Sequence, residues 1–103
     1  MVFLGIIKVL TISTTASVTI NENADPNVPH DVGLSLSLIS PNRREFLHSE
    51  GNSAAHTKTS LVEPSITLIV SGVKLLLGTW QGIWFNKYAG PRTRKVHLRV
   101  MGE

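Results

Sequence analysis

The stretch TTASVTINENADP, residues 14–26, decides how this chain folds. Its first half, up to Ile20, consists of small and β-branched residues, which favour a β-strand. The chain then turns polar at Asn21, Glu22 and Asn23. Asp25 followed by Pro26 is typical of a helix start, because aspartate caps free N–H groups and proline fits the first turn. The stretch therefore predicts a strand that ends in a polar loop, followed by a helix.

Outward from this stretch, the sequence predicts an α+β fold. Runs rich in aliphatic and β-branched residues predict strands at 6–12, 15–20, 65–70, 73–78, 79–88 and 92–102. A helix is expected from Pro26 to about residue 39, and a short helix or turn at 56–62. Because the strands do not alternate with helices, the expected architecture is a largely antiparallel sheet with one or two helices.

The length and composition indicate one small domain with few charged residues. The chain has 103 residues, which predicts a single domain over residues 1–103. Charged residues make up only 17%, below the typical value of about 25%, and self-association is one way to cover such a surface. The absence of cysteine excludes disulfides and thiolate metal sites, and it suits the reducing cytoplasm. The apolar start MVFLGIIKVLTIS is too short to span a bilayer, so no membrane partner is expected.

Basic residues concentrate near the C-terminus, at Arg92, Arg94, Lys95 and Arg99. They alternate with apolar residues like the solvent face of a strand, and no aromatic residues are interleaved for base stacking. This pattern argues against nucleic acid as a partner and favours an anionic group such as a phosphate.

Residues suited to chemistry fall in three polar clusters. The first is Asn21, Glu22, Asn23 and Asp25; the second is His48, Glu50, Asn52, His56 and Lys58; the third is Thr79, Trp80 and Gln81. The two histidines of the second cluster lack a helical metal-site spacing. With a carboxylate they can still bind a divalent ion if the fold brings them together; otherwise they are exposed loop residues. Lys58 either binds an anion or is solvated, and the tryptophans either pack or stack on a ligand.

These clusters lie in TTASVTINENADP, EGNSAAHTKTSL and LLLGTWQGIWF, which in that order resemble the YjbQ family, described as secondary thiamine-phosphate synthases. The resemblance extends from about Gly5 to Gly102. It implies an α+β fold whose mixed, mainly antiparallel sheet curls towards a barrel. It also implies a homotrimer that acts on a small phosphorylated substrate, with a bound divalent metal, most readily zinc.

The resemblance and the chemistry of the side chains together give each candidate residue a role. The expected catalytic residues are Glu22, His48, His56, Lys58 and Gln81. The expected substrate-binding residues are Asn21, Asn23, Asn52, Thr79 and Arg92. The expected metal ligands are His48 and His56.

Two departures from the family pattern leave a second function open. The family usually has histidine directly before TTAS, where this chain has Ser13, and it carries a first β segment that this chain lacks. We therefore expect an N-terminally shortened member of the family. A non-catalytic, trimeric protein that binds a ligand or a metal is the alternative to an enzyme.

Overall fold

The computed structural model describes residues 4–90 and 92–102 and contains two helices and six strands. In chain order the elements are β1 (Leu4–Thr11), β2 (Ala16–Glu22), α1 (Asn27–Ile39), α2 (Ser53–Val62), β3 (Ser65–Ser71), β4 (Lys74–Leu75), β5 (Gln81–Lys87) and β6 (Val96–Gly102). The predicted α+β class is confirmed. The returning strand of the β3–β4 hairpin is shorter than predicted, because Leu77 leaves the sheet and packs against the core.

The strands form two antiparallel sheets that do not close into a barrel. One sheet has the order β4-β3-β1-β6, and the other pairs β2 with β5. Every strand pair is antiparallel, so the expected mixed sheet curling towards a barrel is corrected to two separate sheets. The break lies between β1 and β2, where residues 12–15 form a loop instead of continuing the first sheet.

A small apolar core lies where the two sheets meet. Val9 of β1, Val18 of β2 and Leu68 of β3 are almost completely buried. Partly buried aliphatic side chains surround them, namely Ile7, Ile20, Ile66, Leu77 and Ile83. Seven of these eight residues come from strands, so the sheets supply most of the core, and helix α2 adds the buried Ala54 and Ala55.

Helix α1 has nearly the bounds predicted for it, and it makes few contacts with the rest of the molecule. Asp25 accepts a hydrogen bond from the backbone N–H of Asn27 at 2.9 Å, but Pro26 occupies the N-cap position predicted for Asp25, because the helix begins at Asn27. None of the residues of α1 is buried, and Leu38 is 75% exposed. The hydroxyl of Ser40 donates to the carbonyl of Ala54 at 3.3 Å and ties the end of α1 to the start of α2.

Helix α2 is longer than the predicted short helix or turn and covers β2. It begins at Ser53, three residues before the predicted start, and buries Ala54, Ala55 and Thr59. Glu63 ends it with a φ of 87°. The carbonyl of Glu63 then accepts the N–H of Val18 at 3.2 Å, which fastens the end of the helix to β2.

The molecule is elongated. Its principal extents are 57 × 27 × 20 Å and its radius of gyration is 15.9 Å, compared with about 13 Å for a compact domain of this length. The projecting helix α1 accounts for part of this shape. Within the described residues, no helix has the length and the apolar character needed to cross a membrane.

A partly buried polar network joins β2 to the end of β5. The hydroxyls of Ser17 and Tyr88 lie 2.6 Å apart, and Asn86 donates from its side-chain nitrogen to the Ser17 hydroxyl at 3.2 Å. The backbone N–H of Tyr88 donates to the carbonyl of Thr15 at 3.0 Å. Burial raises the pKa of the Tyr88 phenol, although the hydrogen bond with Ser17 acts in the opposite direction. Tyr88 is therefore fixed at one end of the β2–β5 pair.

Substituting Gly82 should separate the other end of this pair. A Cβ atom at Gly82 would lie 2.7 Å from the Cβ of Asn23, whose backbone is held by a 2.7 Å hydrogen bond to Trp80. We expect Gly82→Ala to lower the free energy of unfolding by about 1–3 kcal/mol, measured by denaturant titration. The control is Gly33→Ala in α1, where a Cβ meets nothing within 4 Å and alanine should stabilise the helix. Equal effects of the two substitutions would contradict this account.

Removing the Tyr88 hydroxyl should change stability and its dependence on pH. We expect Tyr88→Phe to cost about 1 kcal/mol through the lost hydrogen bond with Ser17. Because the pKa of Tyr88 is raised in the folded state, the unfolded chain loses this proton first. That contribution is complete below about pH 10 and disappears as the pH rises through the folded-state pKa. Chemical denaturation between pH 8 and about pH 11 should show a steeper fall for the wild type than for Tyr88→Phe.

Candidate functional site

The structure sorts the predicted site residues into two groups at opposite ends of the β2–β5 pair. One group, the carboxamide end, contains Asn21, Glu22, Asn23, Thr79 and Gln81. The other, the cationic cleft, contains His48, Glu50, Asn52, His56, Lys58 and Arg92, together with Tyr88. Strand β2 separates them by roughly 20 Å, since each strand residue advances the chain by about 3.3 Å.

The carboxamide end is held together by the strand register. Glu22 faces Gln81 across the pair, and Asn21 faces Gly82. Just beyond the strands, the N–H of Asn23 donates to the carbonyl of Trp80 at 2.7 Å. Thr79 lies in the turn that leads into β5. The chain therefore brings all the residues predicted from its first and third clusters to one place.

Much of the polar capacity at the carboxamide end is used to order the local backbone. Gln81 accepts the N–H of Gly78 through its side-chain oxygen at 2.8 Å, and Asn21 accepts the N–H of Glu22 at 2.7 Å. The Glu22 carboxylate accepts the N–H of Asp25 at a longer 3.3 Å. That carboxylate also lines an open cavity of about 220 Å³. Glu22 is therefore the residue here with most capacity left to accept a proton or a ligand hydrogen bond.

Trp80 and Trp84 are four residues apart, a spacing that predicts one shared face of a strand, but only Trp84 lies in a strand. Trp80 precedes β5 in the turn and is 66% exposed. Trp84 lies within β5 and donates its indole N–H to the carbonyl of Glu22 at 3.1 Å. The spacing failed as a guide because the strand begins at Gln81, one residue after Trp80.

The cationic cleft brings the second sequence cluster together. The His48 and His56 rings lie edge to face, with centroids 5.3 Å apart. A cavity of about 250 Å³ is lined by Glu50, Asn52, Lys58, Tyr88 and Arg92, among others. The histidines do not line it, although His56 directly follows Ala55, which does. Arg92 lies 3.7 Å from the Glu50 carboxylate, and both side chains remain more than half exposed. The predicted catalytic and binding residues of this cluster are therefore neighbours.

Asn52 has unused hydrogen-bonding capacity in this cleft. Both the oxygen and the nitrogen of its carboxamide are buried, and neither has a partner among the described residues. Buried polar atoms without partners cost about 1–3 kcal/mol each, so proteins seldom keep them without a purpose. A ligand in the adjoining cavity would supply the missing partners.

Tyr88 is a site residue that the sequence analysis missed. The ammonium group of Lys58 lies 5.9 Å from the centroid of its ring, which is within cation–π range. Tyr88 directly follows β5, and the pairing of Ala16 with Lys87 sets its place beside Thr15. The strand pattern alone does not give this register, so the sequence held no signal that would have found Tyr88.

The donor set for the predicted zinc is incomplete within one chain. His48 and His56 are close enough to be two ligands of one ion. In residues 4–90 and 92–102, however, no three potential ligands from histidine, aspartate and glutamate converge. Zinc sites usually have three or four protein ligands. The two imidazoles alone therefore do not fit a resident metal.

Known proteins resemble this chain along most of its length. A family profile described as UPF0047 protein YjbQ-like matches residues 2–103. A UPF0047 protein of Methanocaldococcus jannaschii is 50% identical over 99 residues, covering 96% of this chain and 72% of that protein. The UPF0047 protein YugU of Bacillus subtilis is 49% identical over 90 residues, covering 86% of this chain and 68% of YugU.

Solved structures share the fold. An uncharacterised YjbQ/UPF0047-family protein of Clostridium acetobutylicum superposes with a TM-score of 0.91 at 46% identity, covering 95% of this chain and 76% of that one. A conserved protein of Thermus thermophilus gives 0.90 at 35% identity, covering 94% and 78%. The predicted lack of a first β segment stays a prediction. The resemblance read from the three motifs is confirmed, and this chain belongs to the YjbQ-like UPF0047 family.

Proposed function

We propose that the protein is an enzyme of the thiamine-phosphate synthase type, which acts on phosphorylated small molecules as a homotrimer. The reaction joins a pyrimidine carrying pyrophosphate to a thiazole phosphate. The thiazole nitrogen attacks the carbon that bears the pyrophosphate, a C–N bond forms, and the C–O bond breaks. Pyrophosphate leaves with the electron pair, so the site must stabilise negative charge that grows on it.

The observation that carries this proposal is the cationic cleft with its unpartnered amide. Lys58 and Arg92 provide two positive charges beside the buried carboxamide of Asn52. Charge-assisted hydrogen bonds from such cations are the usual means of holding phosphate groups. The amide nitrogen can donate to a phosphate oxygen, while the amide oxygen accepts from a ring amine of the substrate.

Within the cleft the remaining side chains have supporting roles. Tyr88 contacts Lys58 through its ring face and, because Ser17 fixes its hydroxyl, restricts where the ammonium group can lie. His48 and His56 pack edge to face, and each imidazole ring can both donate and accept a hydrogen bond. We therefore assign Lys58 and Arg92 to the leaving group and the two histidines to the catalytic metal proposed below.

We propose that the carboxamide end acts in the same site from a neighbouring copy. Within one chain Glu22 and Gln81 lie roughly 20 Å from the cleft, too far to act on one small substrate. An assembly in which one copy's carboxamide end meets the next copy's cleft would unite all the predicted residues. The exposed apolar surface of α1, including Leu34 and Leu38, favours such association, because it has no cover in the single chain.

The alternative is a non-catalytic trimer that binds a phosphorylated ligand or a metal. It is favoured by the incomplete donor set around His48 and His56 in the described residues, and by Ser13, where the resemblance implies a histidine. In either case we place the protein in the cytoplasm and expect neither nucleic acid nor membrane as a partner.

Mixing two inactive variants should restore activity if the site is shared between copies. We expect Glu22→Gln and Lys58→Met each to abolish formation of thiamine phosphate from the two phosphorylated precursors. After dissociation and joint reassembly, a 1:1 mixture should recover about a quarter of the wild-type rate, because about one site in four pairs intact residues from neighbouring copies. Lys74→Met, which changes a lysine of the β4 hairpin, is the matched control and should stay active.

The outcomes separate the parts of this proposal. Two inactive variants whose reassembled mixture recovers no activity would mean that both residues act within one chain. A wild-type trimer that binds the precursors and forms no product would support the non-catalytic alternative. A monomer by light scattering, at concentrations where the assay is run, would contradict the shared site.

We also propose that zinc binds His48 and His56 in the assembled protein, with further ligands from a neighbouring copy. Zinc would supply Lewis-acid stabilisation of negative charge. We expect His56→Ala to weaken zinc binding by at least about tenfold, measured with a competing chelator, and Ser13→His to strengthen it. His97→Ala in β6 is the control and should leave zinc binding unchanged. Equal zinc affinity in His56→Ala and the wild type would rule this site out.

A further inference from the structure

A second cavity lies next to the cationic cleft, between two loops. One loop is Ile12–Thr15, which joins β1 to β2, and the other is the segment 92–95, which leads into β6. The cavity has a volume of about 480 Å³. The N–H of Ile12 donates to the carbonyl of Lys95 at 3.4 Å, and this hydrogen bond links the two loops.

The lining of this cavity is suited to an anion. It consists of three cations, four hydroxyl side chains and one apolar residue, namely Arg92, Arg94, Lys95, Ser13, Thr14, Thr15, Thr93 and Ile12. No carboxylate is among them. Arg92 also lies 3.7 Å from the Glu50 carboxylate, whereas Arg94 and Lys95 have no carboxylate partner among the described residues. Basic and hydroxyl groups that converge attract phosphate oxygens, which accept hydrogen bonds from both.

Arg94 is held in place yet keeps spare donors. It donates from Nη2 to the Thr15 hydroxyl at 3.3 Å and from Nη1 to the Gly90 carbonyl at 3.4 Å, both long bonds. Its Nε atom is buried and has no partner in the described part of the chain. A guanidinium has five N–H donors, so Arg94 is positioned by weak bonds and can still bind an oxyanion.

The opposite loop is also ordered by its own side chains. The N–H of Thr15 donates to the hydroxyl oxygen of Ser13 at 3.1 Å, and the two hydroxyls lie 3.4 Å apart. These bonds hold Ser13 and Thr15 at the cavity before any ligand arrives. Preorganised donors bind anions with less loss of side-chain entropy than mobile surface residues do.

We infer that this cavity is a binding subsite for the phosphoryl group of a phosphate monoester. The inference rests on the proposed function and specifies it further, because Arg92 lines both this cavity and the cationic cleft. A substrate whose phosphate lies against Arg94 and Ser13 can therefore extend past Arg92 towards Asn52. The subsite selects substrates with a terminal phosphate at one end and a polar ring at the other.

The test is a calorimetric titration of the full-length protein, in its native assembly, with inorganic phosphate at low ionic strength. We expect saturable binding that Arg94→Gln weakens about 10- to 100-fold, the range for hydrogen bonds to charged groups. Arg99→Gln removes an arginine of β6 that does not line the cavity, and it should bind phosphate like the wild type.

A second variant distinguishes the loss of phosphate binding from the loss of the fold. Arg94 also bonds to Thr15, whereas Lys95 lines the cavity without a side-chain hydrogen bond or ion pair to the described residues. Lys95→Gln should therefore weaken phosphate binding while its thermal melting curve stays close to that of the wild type. Absence of binding by the wild type, or equal weakening by Arg99→Gln and Lys95→Gln, would overturn the subsite.

The two proposals can fail separately. Formation of thiamine phosphate by a protein that does not bind inorganic phosphate at this cavity would overturn the subsite alone. Phosphate binding that depends on Arg94 and Lys95, in a protein that forms no product, would support the subsite while contradicting the proposed reaction.

Discussion

The burial of Val18 is the constraint on which the rest of the structure depends. Its side chain is fully buried beside Val9 and Leu68, its N–H is bonded to the end of α2, and it pairs with Phe85 of β5. One residue therefore joins both sheets and a helix. A slip of one residue in β2 would turn Val18 out of the core, so the register cannot drift. Since Glu22 and Tyr88 lie at opposite ends of that register, both halves of the candidate site depend on it.

The order of the elements could be predicted from the sequence, and their contacts largely could not. Apolar runs marked the strands, and Asp25 with Pro26 marked the start of α1, because these signals are local. The start of α2 was predicted three residues late because Asn52 and Ser53 resemble loop residues. The burial of Ala54 and Ala55 against β2 favours a helix that begins at Ser53. Tertiary packing outweighs local preference at such a boundary.

For the candidate site, too, local features could be predicted from the sequence and tertiary contacts could not. The histidines His48 and His56 could be expected to meet once the loop between them turned at Gly51, which has a φ of 71°. The role of Tyr88 could not be predicted, because its position depends on the register between β2 and β5. Nor could the sequence show that Glu22 and Lys58 lie at different ends of the strand pair. Residues that sequence motifs group into one site can therefore lie at opposite ends of a strand pair.

The two tryptophans give the protein built-in optical reporters of different events. Trp84 lies within β5 and is hydrogen-bonded to the backbone of β2, so its emission depends on that strand pair staying intact. Trp80 stands in the turn just before it, two-thirds exposed, where its emission depends on what covers the surface. The two indoles therefore respond separately: Trp84 follows unfolding, and Trp80 follows contact of its surface with a second molecule. Fluorescence can thus distinguish unfolding from a change at the surface around Trp80 without any added label.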